Sequence, residues 1–134
     1  MLISVLIPCF NEKKTIEEIV NRINDLKDLN LEIIIIDDNS NDGTKELLKD
    51  KIKDKVSKII FNNKNYGKGY CVKKGIQASN GDAILIQDAD LEYDPSDYPK
   101  LIKPIENGSA DVVYGSRFLG GDERRVLYFW HSLG

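Results

Sequence analysis

Asp88, Asp90 and Glu92 stand at alternate positions directly after the apolar run Ala83–Ile86. Carboxylates this close repel one another unless a cation neutralises them. Mg²⁺ or Mn²⁺ suits such oxygen donors, taking one or two carboxylates and filling the remaining positions with water and phosphate oxygens. In a regular strand Asp88 and Asp90 would face opposite ways, so both reach one ion only if a turn begins here. Turn formation and helix capping are the plainer use of such residues, and Asp94 before Pro95 fits that use. An EF-hand is excluded, because Tyr93 stands where that loop needs glycine and Pro99 where it needs glutamate.

Other chemistry-bearing residues follow apolar runs in the same way. Asp37 and Asp38 end IIII and could accept hydrogen bonds from a ribose or base, or serve only a surface turn, with Asp42 capping the next helix. NYGKGY places Lys68 between two glycines at a helix start, the makings of a diphosphate cradle. It is neither a P-loop, since Asn62 replaces the leading glycine, nor GxGxxG, since Val72 takes the last glycine position. GSRF brings Arg117 to the end of another run, with Arg124 and Arg125 behind it, and a guanidinium fork suits phosphate oxygens. Cys9, Cys71 and His131 read as structural, the cysteines as free thiols.

These residues need elements to position them. Ile3–Ile7 reads as a strand, and Asn11 as the cap of a helix carrying Ile16, Ile19, Val20, Ile23 and Leu26 on one face. Leu31–Ile36 is a second strand, apolar on both sides as parallel strands are. A helix with Leu47, Leu48 and Ile52 follows, then a strand over Val56–Phe61. The next helix carries Val72, Ile76 and Ala78 and ends at Asn80–Gly81, before the strand Ala83–Ile86. Pro95–Ile105 reads as a helix interrupted by Pro99 and Pro104, Asp111–Tyr114 as a fifth strand, and VLYFWH as the opening of a helix. Strands alternating with helices imply a doubly wound α/β sheet, in which ligands bind beyond the carboxyl ends of the strands. The polar clusters PCFNE, DDNSND, QDADLE and GSR all fall at such ends.

The 134 residues, 41% hydrophobic and 31% charged with a formal charge of −3, fit one ordinary globular domain. No basic face dominates, so nucleic acid is not an expected partner. The longest aliphatic stretch, Ile33–Ile36, is far too short to span a bilayer. MLISVLIPCF has no signal-peptide pattern, and a cytoplasmic location is expected. The aromatic run near Gly134 suggests the N-terminal part of a longer catalytic domain.

VLIPCFNE, IIIIDDNSNDGT, NKNYGKGY, ILIQDADLEYDP and VVYGSRF, in this order and spacing, resemble the family 2 glycosyltransferases, especially their dolichyl-phosphate mannosyltransferase and polyprenyl-phosphate branch. The resemblance covers nearly the whole chain. It implies a GT-A fold, a Rossmann-like mostly parallel sheet flanked by helices, that binds a nucleotide-diphosphate sugar. By position, Pro8, Phe10, Asn11, Glu12, Asp37 and Asp38 would line the nucleoside pocket, with Lys68 near the phosphates and Ala89 inside the metal motif. Asp88 and Asp90 would be its DXD pair and Glu92 a third ligand of Mg²⁺ or Mn²⁺. Ser116, Arg117 and Arg125 would meet an acceptor phosphate, carried by a lipid at the membrane surface. The implied reaction is inverting transfer of a sugar onto a polyprenyl or dolichyl phosphate; a sugar hydroxyl acceptor, or nucleotide-sugar binding without turnover, are the alternatives. A nucleotidyltransferase needs a glycine-rich loop after the first strand, and a phosphatase an aspartate nucleophile there. PCFNEKK offers neither.

Overall fold

The computed structural model describes residues 1–90, 94–106, 112–116 and 126–131. Strands β1 (Leu2–Cys9), β2 (Asn30–Asp37), β3 (Lys58–Phe61), β4 (Ala83–Ile86), β5 (Val112–Ser116) and β6 (Val126–His131) form one sheet in the order β3-β2-β1-β4-β6-β5. The first four are mutually parallel, and β6 runs antiparallel between β4 and β5. The helices are α1 (Ile16–Asn24), α2 (Thr44–Leu47), α3 (Lys68–Ala78) and α4 (Tyr98–Glu106). Helix α2 continues through a wide turn at Leu48–Ile52 and a tight one at Lys53–Lys55, and a tight turn at Pro95–Asp97 leads into α4.

Period-two alternation splits the core between the two faces of the sheet. Ile3, Val5 and Ile7 of β1 face one layer with Ile16, Ile19, Val20 and Ile23 of α1, Leu48, Ile52, Tyr98 and Ile102. Leu6, Ile34, Ile36, Ile84 and Ile86 face the other, against Cys71, Val72 and Ile76 of α3. Burial on both faces is why IIII and AILI are unbroken apolar runs.

Three expectations need correction. VLYFWH is not a helix opening but β6, where Phe129 and Trp130 stand in register with Leu85 and Ile84 of β4. Its aromatic and branched residues fit a pleated sheet, and the slot between β4 and β5 decides the matter. Pro99 and Pro104 do not interrupt α4. Pro99 is its second residue, where no intrahelical partner for an N–H exists. Asn11 does not cap α1, which starts five residues later behind Thr15.

The amino end of the sheet is tied by a buried polar network. Ser4 Oγ donates to Glu32 Oε1 at 2.7 Å, the Gly81 N–H donates to Ser4 Oγ at 2.9 Å, and Asn80 donates to both Glu32 oxygens. A Cβ on Gly81 would lie 2.5 Å from Ser4 Oγ and 2.7 Å from the Ser4 nitrogen, so the close approach requires glycine. Burial raises the Glu32 carboxyl, but bonds from the Asn80 N–H, the Ser4 hydroxyl and the Asn80 amide, with the charge of Lys58, outweigh it and hold the group below its ordinary 4.5. With the folded value depressed, its stabilisation is complete above about pH 4.5 and is lost as pH falls through the folded value. Glu32→Ala is expected to cost about 2–3 kcal/mol in urea unfolding at pH 7, because it strands several buried donors. The gap to wild type should narrow as pH falls below about 4.5.

Candidate functional site

The chain runs outward from β1 to β3, then crosses back to β4 on the other side of β1. That reversal opens a crevice beyond the carboxyl ends of β1 and β4, the place where such sheets bind ligands. A cleft of ≈ 150 Å³ lies there, lined by Pro8, Cys9, Phe10, Glu12, Asp38, Lys68, Cys71 and Asp88. Thus Pro8, Phe10, Glu12, Asp38, Lys68 and Asp88, expected from sequence to share one site, line one cavity. Phe10, which also lines the cleft, is 45% exposed.

Asp38 is not in a surface turn. It is 4% exposed, and its carboxylate accepts from Asn62 Nδ2 (2.9 Å), the Tyr66 N–H (2.9 Å) and the Gly67 N–H (2.8 Å). Burial raises this carboxyl, yet the bonds from Tyr66, Asn62, Gly67 and the Cys71 thiol together place it below its ordinary value. One carboxylate therefore clamps the whole loop that leads into α3. Gly67, at φ +97°, holds a backbone shape that side chains rarely adopt.

Asp37 is fully buried and braces its own turn, accepting from the Ser40 N–H at 3.1 Å and Ser40 Oγ at 2.6 Å. Ser40 Oγ in turn accepts from the Asn11 N–H at 2.9 Å. Asn11, at φ 54°, exchanges two side-chain bonds with Asn41, so it joins the loops after β1 and β2. Asp42 is not the cap of α2, which is Gly43; its carboxylate instead accepts the Thr44 N–H at 3.0 Å across the turn that precedes the helix.

Beyond β4, Lys68 Nζ lies 2.6 Å from Asp88 Oδ1. Ala89 is buried, and its carbonyl accepts Thr15 Oγ1 at 2.8 Å, fixing the turn between Asp88 and Asp90 to the start of α1. The buried Gln87 accepts the Tyr98 hydroxyl at 2.6 Å and donates to the Asp88 carbonyl at 3.1 Å. Ser40, Asn41, Asn62, Thr15 and Gln87 are site-building residues that sequence reasoning did not single out. Most lie in the same polar clusters, PCFNE, DDNSND and QDADLE, that mark the strand ends.

The donor set suits a hard divalent cation. Asp88 and Asp90 offer carboxylate oxygens at one turn, and Asp88 already draws an ammonium to contact distance. Among the described residues no three ligating side chains converge. Glu92, Arg117 and Arg125 lie outside the described residues, and Ser116 ends β5. Cys9 and Cys71 are free and buried. Burial, then the charges of Asp37, Glu12 and Asp42, push the Cys9 thiol far up. Burial and Asp38 raise Cys71 to about 12. Neither thiol is a nucleophile at neutral pH.

The family model described as glycosyl transferase family 2 matches residues 4–132. The chain belongs to this family. Among glycosyltransferase relatives, it is 38% identical to the dolichol-phosphate mannosyltransferase of Pyrococcus furiosus, over 99% of this chain and 38% of that protein. It is 35% identical to the undecaprenyl-phosphate 4-deoxy-4-formamido-L-arabinose transferase of Aeromonas hydrophila, over 84% of this chain and 36% of that one. The chain thus spans under two fifths of the length of these relatives. A solved glucosyl-3-phosphoglycerate synthase from Mycobacterium tuberculosis, in complex with Mn²⁺, UDP and glucosyl-3-phosphoglycerate, superposes with a TM-score of 0.64 at 28% identity. That match covers 77% of this chain and 39% of the synthase. The fold is GT-A, and residues of four of the shared motifs, Pro8, Phe10 and Glu12, Asp38, Lys68 and Asp88, line its carboxyl-end crevice.

Proposed function

We propose that this chain is the nucleotide-sugar half of an inverting glycosyltransferase that moves a sugar from a nucleotide diphosphate to a polyprenyl or dolichyl phosphate. The observation that carries the reading is the single crevice holding Asp38, Lys68 and Asp88 at the switch point of the sheet. The lipid-phosphate class of acceptor is supported by the names of the two relatives, dolichol-phosphate and undecaprenyl-phosphate transferases.

Pro8, Phe10 and Glu12 wall the nucleoside, and Asp38 shapes the opposite wall through the loop it clamps. Asp37 and Asn11 hold the rim from behind. Lys68, at the first turn of α3, faces the diphosphate from a helix N-terminus that favours anions. Asp88 and Asp90, with Glu92, would hold Mg²⁺ or Mn²⁺, which when bound stabilises the charge growing on the leaving diphosphate. A lipid phosphate has a second pKa of about 6 and is already a nucleophile at neutral pH, so no general base is required. It needs positive charge beside an equally anionic diphosphate, and Ser116, Arg117 and Arg125 are assigned that task. Among the described residues no helix is long and apolar enough to cross a membrane; the proposed place of action is the cytoplasmic face.

The test is transfer by the full-length protein from a labelled nucleotide sugar. Arg117→Ala is expected to slow transfer by roughly 10²-fold or more, the loss of a charge-assisted phosphate contact in the reacting complex. Nucleotide affinity should stay within a few-fold. Transfer to a free sugar as fast as to the lipid phosphate, or a retained anomeric configuration, would overturn the proposal.

A further inference from the structure

The balanced total charge conceals a strong asymmetry. Between Lys45 and Lys74 the chain carries ten lysines against Glu46, Asp50 and Asp54, while the whole chain has 19 basic and 22 acidic residues. Five of these lysines, Lys49, Lys53, Lys58, Lys64 and Lys74, lie at or beside β3, an edge strand with a neighbour only in β2. Two shallow clefts flank that edge strand and meet at Phe61. One, of ≈ 320 Å³, is lined by Lys49, Lys53 and Lys58 among others; the second, of ≈ 350 Å³, by Asn62, Tyr66, Tyr70 and Lys74.

Aromatic rings alternate with these ammonium groups. Phe61 and Tyr66 are 39% and 38% exposed. Tyr66 and Tyr70 stack with centroids 4.1 Å apart. Lys49 lies over Phe61, Lys64 over Tyr66 and Lys74 over Tyr70, each Nζ between 5.1 and 5.7 Å from the ring centroid. Lysines on an edge strand alone would be explained as protection against edge-to-edge pairing. Exposed rings beside that strand are not, since they add the adhesive surface that such protection removes. Rings at headgroup depth with lysines around them are the composition of a surface that rests on an anionic bilayer.

We propose that the β3 edge, with Phe61, Tyr66 and Tyr70 among Lys49, Lys53, Lys64 and Lys74, docks the protein on an anionic lipid membrane. The surface is tied to the crevice through one buried bond, because Asn62 lines the second cleft and donates to Asp38, which lines the crevice. A protein seated by this edge holds its nucleotide site beside the headgroups. The inference deepens the lipid-phosphate reading above and rests on it for its biological sense, but the surface itself is tested separately.

The experiment is co-sedimentation with phosphatidylcholine vesicles, with and without phosphatidylglycerol, for wild type and for the combined variant Lys49→Glu, Lys53→Glu, Lys64→Glu and Lys74→Glu. A second combined variant carries glutamine at the same four positions, and Phe61→Ser is tested alone. Thermal unfolding and nucleotide titration confirm that each variant is folded. Wild type is expected to bind only the vesicles containing phosphatidylglycerol, more weakly as salt rises. The glutamine variant should bind roughly 10²-fold less tightly, and the glutamate variant not at all. Phe61→Ser should weaken binding several-fold. Equal binding by wild type and the charge variants overturns the proposal, as does no binding to anionic vesicles, or tighter binding to a single-stranded RNA than to those vesicles. Vesicle binding without nucleotide binding would leave this surface standing and remove the enzymatic reading; nucleotide binding without vesicle binding would do the reverse.

Discussion

Asp88→Asn, in a full-length protein supplied with nucleotide sugar and lipid phosphate, is expected to slow transfer by about 10²–10³-fold. Several kcal/mol of transition-state stabilisation come from a cation beside a departing diphosphate, and each 1.36 kcal/mol is a factor of ten. Asparagine keeps the shape of the side chain and removes the charge that, on this proposal, would hold the ion. The ion pair lost should cost the fold little, because Lys68 has a side chain 58% exposed, and such pairs add little to stability. A rate loss with unfolding unchanged within about 0.5 kcal/mol is therefore the expected pattern. A variant as fast as wild type would remove Asp88 from the cation site.

Asp38→Ala is expected to do both kinds of damage at once. Its carboxylate accepts from two backbone N–H groups and the Asn62 amide, and alanine leaves these donors unpaired. Each unmet buried donor costs about 1–3 kcal/mol, and water entering the enlarged cleft recovers part of that, so a net loss near 3 kcal/mol is expected. The loop from Asn62 to Gly67 should gain hydrogen exchange at the Tyr66 and Gly67 amides. Nucleotide affinity is expected to fall with it, because that loop leads into Lys68 and Cys71 of α3, which line the crevice beside Asp38. The depressed carboxyl adds a pH signature: its stabilisation is complete above about pH 3.8, the ordinary value, and fades as pH falls through the lower folded value. An Asp38→Ala chain of wild-type stability would make the clamp irrelevant. One that is destabilised yet binds nucleotide normally would separate the loop from the site.

The strands that position the crevice were readable because sheet burial writes itself into composition. LISVLIPC, EIIIID and AILI have no polar face to confuse with a helix, and the polar cluster after each marks its carboxyl end. VLYFWH was misread for a physical reason. Six aromatic and aliphatic residues carry no period long enough to separate strand from helix, and its role is set by β4 and β5 on either side. The site's outline was legible in the same way, since Asp38, Lys68 and Asp88 each follow a strand or open a helix. What escaped was the second task of each residue. That Asp38 holds Tyr66 and Gly67, that Asn11 pairs with Asn41, and that Thr15 reaches Ala89 are contacts across 28–74 positions. No local pattern encodes them. Asn11 looked like a cap because asparagine favours caps, and the same short amide tolerates the left-handed backbone it adopts here.

The most direct measurement is calorimetric titration of the chain with GDP and with UDP, in Mn²⁺ or Mg²⁺ and again in EDTA. Binding of at least one nucleotide is expected to be about 10-fold tighter or more with the metal, a gain of some 1.4 kcal/mol. Asp90→Asn should erase that gain while leaving the metal-free affinity unchanged. Equal affinity in metal and in EDTA, for a chain shown to be folded, would contradict the placing of a cation and a diphosphate at Asp88 and Asp90.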